Sequence, residues 1–141
     1  MGVDLGERRI GLAVSDPAGS VAVPLTTIER SGDRGSDHEA VLAEARAAGA
    51  EVVVVGLPLT MEGEVGTAAR KVLSEVDALR RLADPGTRIE TQDERLTTVT
   101  ADRRLAETGA GGRRRRQHVD ESAAAVILQA YLDRVQGTGA R

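Results

Sequence analysis

The sequence predicts an α/β fold, a mixed five-stranded sheet flanked by helices, and three observations carry that prediction. Short apolar runs divided by Gly, Pro and Asp fill the first 28 residues. Beyond them, stretches with helical periodicity alternate with β-branched runs. The chain then closes on a long helical stripe of apolar residues.

In chain order, Gly2-Val3-Asp4-Leu5-Gly6 is a first strand, and Glu7-Arg8-Arg9 is a polar turn. Residues 10–15 form a second strand, Asp16-Pro17-Ala18-Gly19 a second turn, and residues 21–28 a third strand, the pattern of antiparallel hairpins. Val41, Leu42, Ala45 and Ala48 share one helical stripe that Gly49 is placed to end. Residues 52–55 are a solid β-branched run, expected of a central strand covered on both faces. Gly56-Leu57-Pro58-Leu59 leads into a polar loop through Gly63, which reads either as a connection shaped for packing or as a sheet-edge loop able to contact substrate. The next helix has Ala69, Val72, Leu73, Val76, Leu79 and Ala83 on its inner stripe and is broken by Asp84-Pro85-Gly86. Residues 88–92 are a short strand. Thr97 or Thr98 caps a helix with Val99, Ala101, Leu105 and Ala106 as its apolar positions. Gly109-Ala110-Gly111-Gly112 ends that helix, and Arg113, Arg114, Arg115 and Arg116 are expected to form a basic loop. The last helix carries Ala124, Ile127, Leu128, Tyr131, Leu132 and Val135 at intervals of three and four, with a frayed tail over residues 136–141. Three strands, helix, strand, helix, strand, helices is similar to the ribonuclease H-like order.

Composition narrows the class. A chain of 141 residues fits one domain, so residues 1–141 are expected to fold as a unit. Cysteine is absent, which excludes disulfides and cysteine-based zinc sites. With 40% hydrophobic and 29% charged residues the chain is globular rather than disordered. No apolar run approaches the ~20 residues needed to span a bilayer, and Met1 opens no signal-peptide pattern, so the expected location is the cytoplasm, away from membranes. The first strand starts abruptly at Met1 with little lead-in, which leaves open whether the natural N-terminus lies further upstream. Tyr131 is the only aromatic residue, which disfavours single-strand binding by base stacking. Net charge is −3, so any nucleic-acid contact has to come from a local basic patch.

Three acids stand out. Strand alternation sends Asp4 to the face opposite Val3 and Leu5, where a carboxylate is costly unless paired or metal-bound. Gly6, with no Cβ, lets a ligand or another backbone approach. Asp93 and Glu94 close the fifth strand on opposite faces, so one of them points at any site. Asp120 opens the last helix. Each has an ordinary reading: a strand-end turn, an ion pair to Arg95, a helix-capping acid. Together, strand ends one and five and the start of a packing helix converge on one sheet edge. Carboxylate oxygens there suit magnesium or manganese, which activate water against a phosphodiester. His118 reads as a solvated loop histidine rather than a proton shuttle. The four arginines read either as a solvated cluster or as a loop gripping nucleic-acid phosphates.

These segments resemble the YqgF/RuvX family. Gly2-Val3-Asp4-Leu5-Gly6 with Arg9-Ile10-Gly11-Leu12-Ala13 is similar to its opening motif, and Val55-Gly56-Leu57-Pro58-Leu59 to its second. Asp93-Glu94-Arg95-Leu96-Thr97-Thr98 resembles the third, and Val119-Asp120 with the apolar run at residues 123–128 the fourth. The resemblance implies a nuclease acting on Holliday junctions or maturing pre-16S rRNA ends, with Asp4, Glu94 and Asp120 as catalytic acids and metal ligands. Asp93 takes the place of Glu94 if the latter points away. Ala123 stands where related resolvases often place another acid, and Glu121 is a poor substitute. A resolvase of a two-fold junction is expected to work as a homodimer. Two other readings compete. A non-catalytic nucleic-acid-binding or ribosome-assembly module would depend on the arginines but not on metal. An actin-like phosphate-binding ATPase also uses DxG before a hairpin, yet needs two domains and far more chain.

Overall fold

The computed structural model describes residues 1–95 and the backbone of 113–139, with side chains described from 123 to 137 within that second stretch. The helix expected around Val99 and Leu105 lies outside the described residues.

Five strands form the sheet: β1 (Gly2–Leu5), β2 (Arg9–Ser15), β3 (Ala22–Glu29), β4 (Val52–Leu57) and β5 (Arg88–Asp93), in the order β3-β2-β1-β4-β5. β2 pairs antiparallel with both β1 and β3, as short turns at residues 6–8 and 16–21 dictate. β4 pairs parallel with β1 and with β5, so each needs a helical crossover. Those crossovers are α1 (Arg34–Ala48) and α2 (Thr67–Leu82). Asp33 caps α1 by accepting from the Gly35 amide, and Gly49 ends it at φ 67°, in the left-handed region that glycine adopts without strain. Both crossovers cover one sheet face, where Val3, Ile10, Leu12, Val53, Val55 and Ile89 meet Val41, Leu42, Val76 and Leu79.

The other face is covered by α3 (Arg113–Gly139), whose Ala124, Ile127, Leu128 and Tyr131 pack on Ala13 and Val54. A Cβ on Gly2 would stand 2.7 Å from the Ala124 carbonyl oxygen and from Leu128 Cβ, so this glycine lets α3 lie directly on β1.

Four expectations need correction. Arg113 to Arg116 are not a loop but the opening of α3. Arginine is a good helix former, and no glycine or proline lies between Gly112 and Gly137 to break the helix. Asp120 and His118 therefore lie inside the helix rather than at its entrance. The tail is helical through Gly139, so fraying does not begin at residue 136. Ala48 is exposed, because the buried stripe of α1 runs instead through Asp37, His38, Val41, Leu42 and Ala45.

Among the described residues no helix is long and apolar enough to cross a membrane.

Candidate active site

Asp4 sits near the carboxyl end of β1, between Val3 and Leu5, which pack toward α1 and α2. Alternation turns its carboxylate to the α3 face, where it is 3% exposed. The parallel register pairs Val3 with Val55, and one residue further Asp4 stands level with Gly56 of β4.

Gly56 explains where the second carboxylate lies. A Cβ there would collide with Glu94 Oε2 and with Ile127 Cδ1, so Glu94 and α3 share the space above a strand position that has no side chain. Glu94 follows the last residue of β5, is anchored through its amide to the Leu57 carbonyl at 3.2 Å, and is 7% exposed. Asp93 turns away and takes the ordinary role: its carboxylate accepts from the Arg95 amide at 3.0 Å and from Arg95 Nε at 2.9 Å. Arg95 also lies over Gly63, whose φ of 83° suits glycine, and so ties the loop after β4 to the end of β5.

Burial pushes the Glu94 carboxyl up to about 7, and the negative charge of Asp93 adds to it. Two buried carboxylates on one face are an all-oxygen donor set, the kind that suits a hard divalent cation. A cation would relieve the cost that raises Glu94. Among the described side chains no group of three or more His, Cys, Asp or Glu is assembled for a metal.

Asp120 lies on the described backbone of α3, four residues before Ala124 and seven before Ile127, hence on the same helical stripe. Tyr131 Oη bonds Glu90 Oε2 at 2.9 Å while Ile127 lies over Gly56, so α3 advances toward the carboxyl ends of β4 and β5 as it is followed back to its start. The side chains of Asp120, His118, Glu121 and Arg113 to Arg116 lie outside the described residues. Ala123, at the position where an additional acid was considered, is buried among the apolar contacts of α3.

Gly6 serves another backbone rather than a ligand: a Cβ there would stand 2.6 Å from the Arg9 carbonyl oxygen. Its own carbonyl accepts from Arg30 Nε at 2.8 Å. Arg30 in turn holds both oxygens of Glu75 at 2.8 and 2.9 Å, and His38 Nε2 lies 2.7 Å from the same carboxylate. Burial alone would push Glu75 up, but hydrogen bonds and charge from Arg30 and His38 overcome it and hold the carboxyl below its ordinary range. Sequence reasoning missed this network. Its signal was a charged residue on the buried stripe of α2, between Val72 and Leu79.

Comparison with known proteins agrees with this architecture. The family described as "RuvX: Holliday junction resolvase" matches residues 1–134. A protein of Moorella thermoacetica named "Putative pre-16S rRNA nuclease" is 45% identical over 139 residues, covering 99% of this chain and 97% of that one. A protein of the same name from Roseiflexus is 46% identical over 133 residues, covering 94% and 92% respectively. Among solved structures, Thermus thermophilus RuvC in complex with Holliday junction substrate superposes with a TM-score of 0.59 at 18% identity, covering 97% of this chain and 94% of that one. The last likeness identifies the fold as that of the RuvC-like, ribonuclease H-like resolvases.

Proposed function

The chain belongs to the RuvX family and is a nuclease, and from that premise we propose that it is a divalent-metal-dependent endonuclease of structured nucleic acid, with Asp4, Glu94 and Asp120 as its catalytic acids. The observation that carries the reading is the burial of Asp4 and Glu94 on one sheet face, at one edge, around the side-chain-free position of Gly56. Asp120 joins them by its place on the α3 stripe that covers this face.

These three carboxylates would hold magnesium or manganese. A cation bound there supplies an activated water and neutralises charge on the phosphodiester undergoing hydrolysis. The chain's own contribution is positioning. Asp4 is fixed by a strand hydrogen-bonded on both sides. Glu94 is fixed by the hydrogen bond that its backbone N–H donates to the Leu57 carbonyl of β4 and by the space that Gly56 leaves for its carboxylate. Both carboxylates are held largely away from bulk water, Asp4 at 3% and Glu94 at 7% exposure, with Ile127 sharing the space over Gly56 with Glu94.

The proposed substrate is pre-16S rRNA, because relatives of nearly equal length carry that name; trimming of its 5′ end, in the cytoplasm, is the accompanying proposal. Branched DNA, cut by a homodimer, is the alternative substrate that the family description favours. The test is incubation with labelled pre-16S rRNA and with a four-way DNA junction, with and without manganese, alongside Asp4→Asn. Metal-dependent trimming of the RNA that disappears in Asp4→Asn is the expected result, and paired symmetric nicks in the junction identify a resolvase instead. Cleavage undiminished in Asp4→Asn overturns the site. Binding without cleavage of either probe leaves a nucleic-acid-binding module.

A further inference from the structure

A second feature lies at the same carboxyl edge of the sheet, across the β1–β2 turn from the acids. A cleft of about 690 Å³ opens between that turn and the N-terminal ends of α1 and α2, with Glu7, Arg30, Arg34, Arg70, Lys71 and Ser74 among its lining residues. Two acids in its wall are engaged inward. Glu75 is held by Arg30 and His38, and the buried Asp37 accepts from the Ser31 amide at 3.0 Å. The solvent side is therefore cationic. The Arg34 guanidinium is half exposed, donates to Ser74 Oγ at 2.9 Å and lies 3.9 Å from Glu75 Oε1, a long contact that leaves most of its charge toward solvent. Arg70 and Lys71 are exposed and form no ion pair among the described residues, and α2 has no acid in its first turn to offset them. Glu7 is the one exposed acid among the lining residues. In a chain of net charge −3, this concentration of positive charge runs against the background.

We propose that this cleft binds the phosphodiester backbone of the nucleic-acid substrate at a position away from the bond being cut, with Arg34, Arg70 and Lys71 as the phosphate contacts. The identity of the ligand rests on the nuclease reading. Its chemistry rests on the cleft, because exposed cations spread over two helices suit a polyanion passing across them, whereas a small anion is normally enclosed. Arg30 links the two sites mechanically: it braces the cleft wall through Glu75 and donates to the Gly6 carbonyl, two residues beyond Asp4. Since Asp4 and Glu94 face α3 while the cleft faces α1 and α2, a substrate touching both must pass over the sheet edge. A duplex or branched structure can do so, with one strand at the acids and a neighbouring stretch in the cleft.

The test measures binding separately from cleavage. In the full chain carrying Asp4→Asn, affinity for the labelled pre-16S rRNA fragment and for the four-way junction is followed from about 50 to 200 mM salt, the range over which phosphate contacts are lost. Adding Arg70→Ala with Lys71→Ala is expected to weaken binding at least tenfold and to reduce the log–log salt slope by about 2, close to one counterion per contact. Both residues are exposed, so the thermal midpoint should not move. Arg81→Ala with Arg88→Ala removes the same charge at the opposite edge of the sheet and should leave the slope unchanged. The proposal is overturned by an unchanged slope in the cleft variant, by an equal change in the control, or by failure of both probes to bind. Thermal stabilisation by inorganic phosphate combined with unaltered nucleic-acid binding in the cleft variant also overturns it, in favour of a small-anion site. A reduced slope in a protein whose unsubstituted form cleaves neither probe with manganese sustains the cleft and removes the nuclease reading.

Discussion

Glu75 and Glu94 are both buried glutamates on opposite sides of one sheet, 9% and 7% exposed, and their surroundings drive them in opposite directions. Glu75 lies between Arg30 and His38, and its carboxyl is held below the ordinary range although burial opposes ionisation. Glu94 has Asp93 beside it, and burial with that like charge takes it up to about 7. The contrast teaches that burial alone does not mark a site. Guanidinium and imidazole beside a buried carboxylate hold it ionised, whereas burial with a like charge beside it raises its carboxyl until a proton is retained toward pH 7.

The largest effect expected from this contrast follows from removing charge on the matched side. Glu75→Gln strands Arg30 and His38 at a partly buried site and should cost about 3–5 kcal/mol, the scale for breaking a buried ion pair. Glu94→Gln should leave stability of the metal-free protein unchanged or improved at pH 8 while abolishing manganese-dependent cleavage. Urea unfolding of both variants decides the matter, and equal losses would erase the distinction between the two faces.

The next effect is a pH dependence of opposite sign on the two faces. Between pH 4.5 and about 7 native Glu94 holds a proton that the unfolded chain has released, so stability contributed by this group falls as pH rises through that window. The full difference is about 3 kcal/mol. Glu75 acts the other way: its contribution is present above the unfolded value of 4.5 and is lost as pH falls below it. Stability of metal-free protein measured across pH 4–8 should therefore decline above pH 5. Glu94→Gln should flatten that decline, and manganese should suppress it.

Gly56→Ala should come next, at about 1–3 kcal/mol, because its methyl group enters the space held by Glu94 and Ile127. Manganese affinity, read by calorimetry, should fall with it as Glu94 is displaced. A variant that keeps both stability and affinity would show that the glycine does not shape the site. The smallest effect is that of Asp93→Asn, which removes the like charge beside Glu94 at a partly exposed position. It should lower the Glu94 midpoint, followed by carboxylate NMR, with less than about 1 kcal/mol of consequence for stability.

Local chemistry made much of this molecule legible in its residues. The order of strands and helices followed from apolar periodicity, the end of α1 from Gly49, and the inward turn of Asp4 from simple alternation with Val3 and Leu5. These depend on neighbours one to four residues away, and a sequence displays those directly. The start of α3 was misread because the glycine run at residues 109–112 suggested a loop continuing through the arginines, while helix propensity favoured the residues that follow.

Contacts between distant segments decided the rest. Alternation allowed either Asp93 or Glu94 to face the site. The choice fell to Glu94 because Gly56, 38 positions earlier, leaves room for it, and because Arg95 engages Asp93 on the other side. The pairing of Glu75 with Arg30, 45 residues away, and the cationic cleft beside it exist only once α1 and α2 are packed on the same sheet face. The sequence determined which residues could be buried, capped or turned. The tertiary structure decided which charges meet, since electrostatic partners are chosen by distance in space and by the solvent removed around them.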